Sequence, residues 1–274
     1  MLIVSQTLPD IQKAIDLGRS VPAAHRGKCT ASLPALLHLA LVAHRSDPKG
    51  RDFVSALGVP QLPSLIELLN QTGRQRAEND FGTYPFEAFR IGGRSDILTQ
   101  DWTYFCDRFR RAASRRKQSQ AALALTSVFR EMADNVVYHA YADPQSPCRA
   151  LAAYHVTDTM TCFSVVDDGQ GFLRSLKRRS IWGALATDHD ALDAVITKHA
   201  TSREGEAQGG GFKQLFNGLL NLNGLVVLRS GVSSYTLRNA GSIWQKQARD
   251  AHIIAGSQVT FLMDACGSTE EKMV

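Results

Sequence analysis

The sequence of 274 residues contains no long hydrophobic run. Its longest apolar segment, Leu33 to Ala43, is interrupted by His38 and is much shorter than the roughly 20 residues that a membrane-spanning helix needs. The start of the chain, Met1 to Ser5, has neither the basic flank nor the apolar length of a secretory signal. We therefore expect a protein that has no membrane-spanning part.

Cysteine is also scarce, with five residues and no Cys-x-x-Cys spacing. An odd number without paired spacing argues against a disulfide framework. A reducing compartment is the natural environment of such a chain, and we expect a cytoplasmic protein. The formal net charge is +5, which permits acidic partners such as nucleic acid without requiring them.

A helical pattern that opens at about Ala121 carries polar side chains at spacings of four residues: Glu131, Asn135 and His139. At about 3.6 residues per turn these side chains lie on one face of a helix whose other face is apolar. A polar stripe beside a core-facing one indicates a cleft or a solvated surface.

Two later segments have features of a ligand site. A strand of the buried type runs into an acidic turn that contains glycines, from Asp167 to Gly171. Three consecutive glycines, Gly209, Gly210 and Gly211, precede an apolar helical pattern and so present backbone N–H groups to an anion. Taken alone, the acidic segment is also explained by a plain turn between a strand and a helix.

The order of these three segments resembles the GHKL superfamily of ATP-binding domains, which is found in gyrases, heat-shock chaperones, histidine kinases and MutL proteins. The shared pattern is Glu-x-x-x-Asn on a helix, Asp-x-Gly-x-Gly after a strand and a glycine-rich loop before a helix, over about residues 121 to 265. The resemblance implies a Bergerat fold, an α+β two-layer sandwich whose mixed sheet is covered on one face by three helices. It also implies ATP and Mg²⁺ as cofactors.

The resemblance gives three of these side chains a role in catalysis or binding. Asn135 is expected to bind Mg²⁺, which prefers oxygen ligands. Glu131 is expected to orient or deprotonate the group that attacks the terminal phosphate. Asp167 is expected to accept a hydrogen bond from the adenine amino group.

Four further residues are expected to complete the site. Gly169 and Gly171 permit backbone angles and a close approach that a side chain would prevent. Ser257 resembles a hydroxyl that helps to hold adenine through water, although a hairpin turn explains its position equally well. His139 is expected either to reach a phosphate or to hold its helix against a strand.

The polar segment from Ala200 to Gln208 is expected to form a lid over the phosphates. Gly209, Gly210 and Gly211 then bring N–H groups to these phosphates. Lys213 stands where the superfamily often has its last glycine. It either adds a positive charge at the phosphates or marks a remodelled lid.

Three functions are compatible with this pattern. The first is an ATPase or ATP-driven switch that regulates a protein partner. The second is a protein-serine kinase of the anti-sigma type, because Glu131 resembles the residue of hydrolysing members and of these kinases. The third is a non-catalytic nucleotide-dependent module that engages nucleic acid or an acidic protein through the basic helix at residues 108–117. A solvated helix face also explains those basic residues.

We expect residues 101–266 to form the ATP-binding domain and residues 267–274 to be a frayed tail. Residues 1–100 are expected to form a small α/β region of unknown role. Its alternation of elements resembles the small sulfate-transporter and anti-sigma-antagonist (STAS) domain. The alternative is an extension that docks on the ATP domain or forms a homodimer contact.

The local patterns also predict individual elements. In residues 1–100 they predict a strand at residues 2–5, helices at 8–17, 33–45 and 62–70, a turn at 46–50 and a loop at 73–82. Near the end of the chain they predict four short strands, at residues 225–229, 233–238, 242–247 and 258–263.

Overall fold

The structure is a computed structural model. It describes residues 2–3, 29–46, 48–70, 76–78, 80–88, 99–115, 119–141, 148–202, 222, 224–240 and 243–264. Within these residues the α-helices are α1 Leu33–Arg45, α2 Pro48–Ala56, α3 Leu62–Leu69, α4 Gln100–Ala113, α5 Ser119–His139, α6 Gly171–Leu176 and α7 Asp188–Lys198. The expected helix at residues 8–17 and the tail at 267–274 lie outside the described residues.

A six-stranded sheet organises the fold. Its strands are β3 Arg76–Glu78, β4 Phe81–Ala88, β5 Cys148–Val156, β6 Met160–Asp167, β7 Gly224–Ala240 and β8 Ile243–Asp264, in the spatial order β3-β4-β5-β6-β8-β7. Two short strands, β1 Leu2–Ile3 and β2 Thr30–Ala31, form a separate parallel pair.

The α+β class expected from the sequence is confirmed, but the sheet is not mixed. Every described neighbour pair in the six-stranded sheet is antiparallel. The short β5–β6 connection and the β7–β8 hairpin each reverse the chain direction, and β8 then returns beside β6. The expectation of parallel neighbours came from the resemblance and not from the connections.

The four short strands expected near the end of the chain are two long ones. β7 and β8 pair from Gly224↔Met263 to Ala240↔Ile243, with register shifts around Gly231. Gly231 has a φ of 54°, so the chain bends there without ending the strand. A glycine that looked like a boundary is therefore a bulge inside a continuous hairpin.

Two local predictions for the first hundred residues were wrong. The expected turn at residues 46–50 is largely the start of α2, because Pro48 occupies the first helical position, where its missing N–H is not needed. The expected loop at residues 73–82 contains β3 and the beginning of β4. By contrast, α1 and α3 match the predicted helices closely.

The strand β4 joins the first hundred residues to the rest of the sheet. It pairs with β5 along its whole length, from Phe81↔His155 to Ala88↔Cys148. The sheet therefore extends across the expected division at residue 100.

An aromatic core covers one face of the sheet. Helix α4 begins at a capped turn, where Thr99 Oγ1 accepts a hydrogen bond from the Trp102 N–H, and it packs beside α5. The core between these helices and the sheet includes the buried rings of Tyr84, Phe86, Trp102, Phe105, Phe109, Phe129, Tyr154, Phe163 and Phe261.

Helices cover the other face as well, whereas the sequence predicted helices on one face only. Helices α1 to α3 form a second core with Leu151, Ala153 and Val166 of the sheet. Strands that are buried on both faces explain the nearly continuous apolar sequences of β5 and β6.

Candidate functional site

A small cavity lies where the end of β6 meets the C-terminal half of α5. Its walls include five of the residues that the sequence singled out: Asn135, His139, Asp167, Gly171 and Ser257. These residues come from three distant parts of the chain, so their meeting is a property of the fold. The cavity measures about 20 Å³, which is room for about one water molecule.

Asp167 is the buried anion of this cavity, with 2% of its surface exposed. Its Oδ1 accepts a hydrogen bond from the Gly169 N–H at 2.9 Å, and its Oδ2 accepts one from the Ser257 hydroxyl at 2.5 Å. Burial raises the pKa of Asp167 to about 6, and these hydrogen bonds oppose that rise. The carboxylate is thus held in place with lone pairs left for a further donor.

The raised pKa predicts a pH-dependent stability. The folded chain holds the Asp167 proton more tightly than the unfolded chain, so the ionised group costs stability above about pH 6, and this cost disappears as the pH falls towards 3.8. Between pH 8 and pH 4 the wild type should gain about 2 kcal/mol of unfolding free energy relative to Asp167→Asn. Urea titrations of both proteins across this range measure the gain, and a constant difference would contradict it.

Asn135 faces the same cavity from α5. It is only 9% exposed, and its Nδ2 has no hydrogen-bond partner within the described part of the chain. Buried side-chain amides usually have partners, so an unpartnered one at a cavity wall is consistent with a ligand-facing group. A half-turn of the amide exchanges its oxygen and nitrogen, so the oxygen can take the position that faces the cavity.

Glu131 lies one helical turn before Asn135 and is half-buried. It does not line the cavity, although residues four apart on a helix are neighbours. The structure thus brings the expected magnesium and adenine residues to one cavity and leaves the expected general base at a distance from it.

His139 closes the cavity through a chain of hydrogen bonds. Its Nδ1 lies 2.6 Å from the Ser202 hydroxyl, which lies 3.1 Å from the Ser175 hydroxyl of α6. The imidazole therefore links α5 to α6 and to the segment that follows α7. No local pattern marks Ser175, and Ser202 was expected only as part of the lid segment.

Gln170 was also missed by sequence analysis. Its side-chain amide donates to the carbonyls of His139 and Tyr141, at 2.7 and 2.9 Å, and its backbone N–H donates to the Ala140 carbonyl at 2.7 Å. The last carbonyls of a helix have no partners within the helix, so these bonds fix the end of α5 to the loop after β6. The need of α5 for a C-terminal cap is the signal that could have identified Gln170.

The glycines of the site allow backbone segments to pass closely. A Cβ atom on Gly169 would collide with the Ala140 carbonyl, and Gly171 has a φ of 74° beside the Ser230 hydroxyl. Gly169 lines a second cleft rather than this cavity. The first role of Gly169 is therefore to let the loop pack against the end of α5.

Among these glycines, we expect substitution of Gly256 to lower the unfolding free energy most. Its φ is 72°, and a Cβ atom would collide with the carbonyl and carboxylate oxygens of Asp167. Gly256→Ala should therefore lower the unfolding free energy by about 3 kcal/mol, through the left-handed backbone and the overpacking. Gly183→Ala is the matched control, because its backbone is helical and the nearest atom to a Cβ is the Ser180 carbonyl oxygen at 3.1 Å. Urea unfolding measures the free energy of both variants, and equal losses would contradict the role of the Gly256 backbone and its contact with Asp167.

The remaining predicted residues are Gly209, Gly210, Gly211 and Lys213, which lie outside the described residues. The lid expected from Ala200 to Gln208 is described only at its first three residues.

The basic helix is α4 together with the residues that follow it. Arg108, Arg110, Arg111 and Arg115 are all exposed on its outer side. Two of them lie near carboxylates: Arg110 is 3.4 Å from Asp107, and Arg115 is 3.6 Å from Asp80. Such exposed pairs are typical of a solvated helix face.

Within the described ranges, no helix is long and apolar enough to cross a membrane. Among the same residues, no group of three or more His, Cys, Asp or Glu side chains could hold a metal ion. No protein-family model, curated protein or solved structure matches this chain.

Proposed function

We propose that this chain binds Mg-ATP at the cavity between α5 and the end of β6, as a GHKL-type protein. One observation supports this most: the buried Asp167 carboxylate, held by Gly169 and Ser257, shares a cavity with Asn135, whose Nδ2 has no hydrogen-bond partner among the described residues. A buried carboxylate can accept a hydrogen bond from the adenine amino group, and the oxygen of a side-chain amide can bind Mg²⁺.

The residues fit the adenine through Asp167. Its carboxylate already accepts two hydrogen bonds from the protein and can accept a third from an exocyclic amine. The neutral pH of most compartments lies above its pKa of about 6, so the group is ionised there. Because the carboxylate is buried, such a hydrogen bond is stronger than one made at a solvent-exposed surface.

The residues fit magnesium through Asn135. Mg²⁺ keeps several waters and is commonly held by one or two protein oxygens together with phosphate oxygens. A single amide oxygen from Asn135 therefore suffices, and a cluster of carboxylates is not needed. When bound, the ion would neutralise the charge on the phosphates.

The cavity has to widen before a nucleotide can enter. Small-molecule sites commonly measure about 300 Å³ or more, whereas this cavity measures about 20 Å³. Helix α6 forms one wall, and at six residues it is too short to be stable without its neighbours. Its bonds to Ser202 and Ser230 are the contacts whose loss would let this wall move.

ATP hydrolysis, or an ATP-driven switch that regulates a protein partner, is the activity that we propose for this site. Glu131 would act as the general base, one turn from Asn135 on α5. A kinase of the anti-sigma type would use the same residues and transfer the phosphate to a serine of its partner.

The magnesium dependence of nucleotide affinity tests the proposal. The affinity of the wild type for a non-hydrolysable ATP analogue should be at least about tenfold higher with Mg²⁺ than with a chelator that removes the ion. Asn135→Ala should lose most of this difference. Leu123→Ala is the control on the same helix, since that side chain is 69% exposed. An unchanged magnesium effect in Asn135→Ala would contradict the assignment of this residue, and calorimetry measures all three proteins.

A further inference from the structure

A second and much larger cleft lies on the α1 side of the sheet. It measures about 770 Å³, which is within the usual range of small-molecule sites. Helix α1 forms one wall, and the loop after β6 and the bulges of β7 and β8 form the others. Gly169 and Gly256 stand between this cleft and Asp167, so the two sites share a wall.

A buried polar row runs below this cleft. Val166, Gln258 and Arg229 are cross-strand partners on β6, β8 and β7. Paired residues point to the same face of a sheet, and Val166 packs in the α1 core, so Gln258 and Arg229 also face α1. Both are almost completely buried.

Gln258 in this row and His38 on α1 are both unusual for a structural core. Neither amide atom of Gln258 has a hydrogen-bond partner within the described part of the chain, although the residue is 1% exposed. His38, which lines the cleft, is 7% exposed, and burial together with the charge of Arg229 lowers its pKa to about 3. His38 and Gln258 therefore offer a neutral imidazole and an amide without a partner among the described residues, whereas a packed apolar core would contain neither.

Charged side chains of both signs line the cleft, and the arginines are the ones available to an anion. Arg45 and Arg174 line the cleft, and Arg174 is exposed. Two carboxylates line it as well, but each already accepts a backbone N–H: Asp168 from Arg149 at 2.8 Å and Asp188 from Val232 at 3.1 Å. The lining thus holds two arginines and two carboxylates, and the buried Arg229 below the floor adds a further positive charge.

We propose that this cleft binds a small organic molecule that carries a carboxylate or phosphate group. The anionic group meets Arg45 and Arg174 at the rim, and the polar body of the molecule reaches towards His38 and Gln258. Because Gly169 and Gly256 are shared with the nucleotide cavity, an occupant here is positioned to affect the loop that carries Asp167.

Equilibrium dialysis with radiolabelled inorganic phosphate and, separately, radiolabelled succinate tests this proposal. At least one probe should bind saturably in the millimolar range, and Arg174→Ala should weaken it about tenfold. Arg111→Ala is the matched control, an exposed arginine on α4 that lies outside the cleft. A preference between the two probes identifies which anionic group the natural ligand carries.

Two further arms separate this site from the nucleotide cavity and from a structural role. A saturating ATP analogue with Mg²⁺ should not displace the bound anion. Gln258→Leu should weaken anion binding at least about threefold without lowering the unfolding free energy. Absence of saturable binding, equal binding by Arg174→Ala, or displacement by the analogue would each overturn the proposal.

Discussion

Asp167→Asn is expected to weaken binding of a non-hydrolysable ATP analogue about 100-fold, because a charge-assisted hydrogen bond in a buried site is lost. In the variant, the Gly169 N–H can only donate, so the amide oxygen keeps the Oδ1 position and the amide nitrogen takes the Oδ2 position, where the Ser257 hydroxyl turns to accept. The amide nitrogen then meets the adenine amino group, and two donors face each other. Competition with a fluorescent nucleotide analogue measures the loss.

The neighbouring carboxylate provides the control for this prediction. Asp168→Asn should keep the nucleotide affinity within about threefold, since Asp168 lines the other cleft and accepts the Arg149 N–H. At pH 8, Asp167→Asn should be at least as stable as the wild type, because it removes a desolvated charge. Equal losses of affinity in the two variants would contradict the role of Asp167 in base binding.

Glu131→Gln is expected to lower phosphate release from ATP about 100-fold or more while leaving analogue affinity nearly unchanged. Glutamine keeps the shape of the side chain and removes its ability to accept a proton. The residue lies outside the cavity wall, so the effect should fall on turnover and not on binding. A coupled phosphate-release assay measures turnover, with the exposed Glu67→Gln on α3 as the control.

The same assay separates the proposed activities. Phosphate release by the wild type that Glu131→Gln abolishes supports an ATPase. Release that is equal in both proteins would rule out Glu131 as the base. Analogue binding without release by the wild type would favour a switch, or a kinase that transfers phosphate only to its partner.

Sequence periodicity correctly predicted the elements whose own apolar pattern determines their type. Helices α1 and α3 were predicted close to their observed bounds, and the apolar repeat that opens at about Ala121 lies in α5, Ser119–His139. The prediction failed where a residue type is common in two kinds of local structure. Pro48 starts a helix but reads as part of a turn, and Gly231 bends a strand but reads as its end.

Long-range pairing was the part that sequence could not supply. Nothing near β4 indicates that it pairs with β5, and nothing in α1 indicates that it covers the second face of the sheet. For the same reason the motif residues of the candidate site were singled out, while Gln170 and Ser175 were missed and Ser202 was placed only in the expected lid. Their roles depend on the partners that the fold brings to them.

Titration calorimetry of the wild type with a non-hydrolysable ATP analogue and Mg²⁺ at pH 8 tests the central claim most directly. Binding of one analogue per chain in the micromolar range is the predicted result. Absence of a binding signal at millimolar analogue would contradict the assignment of the cavity between α5 and β6 as a nucleotide site.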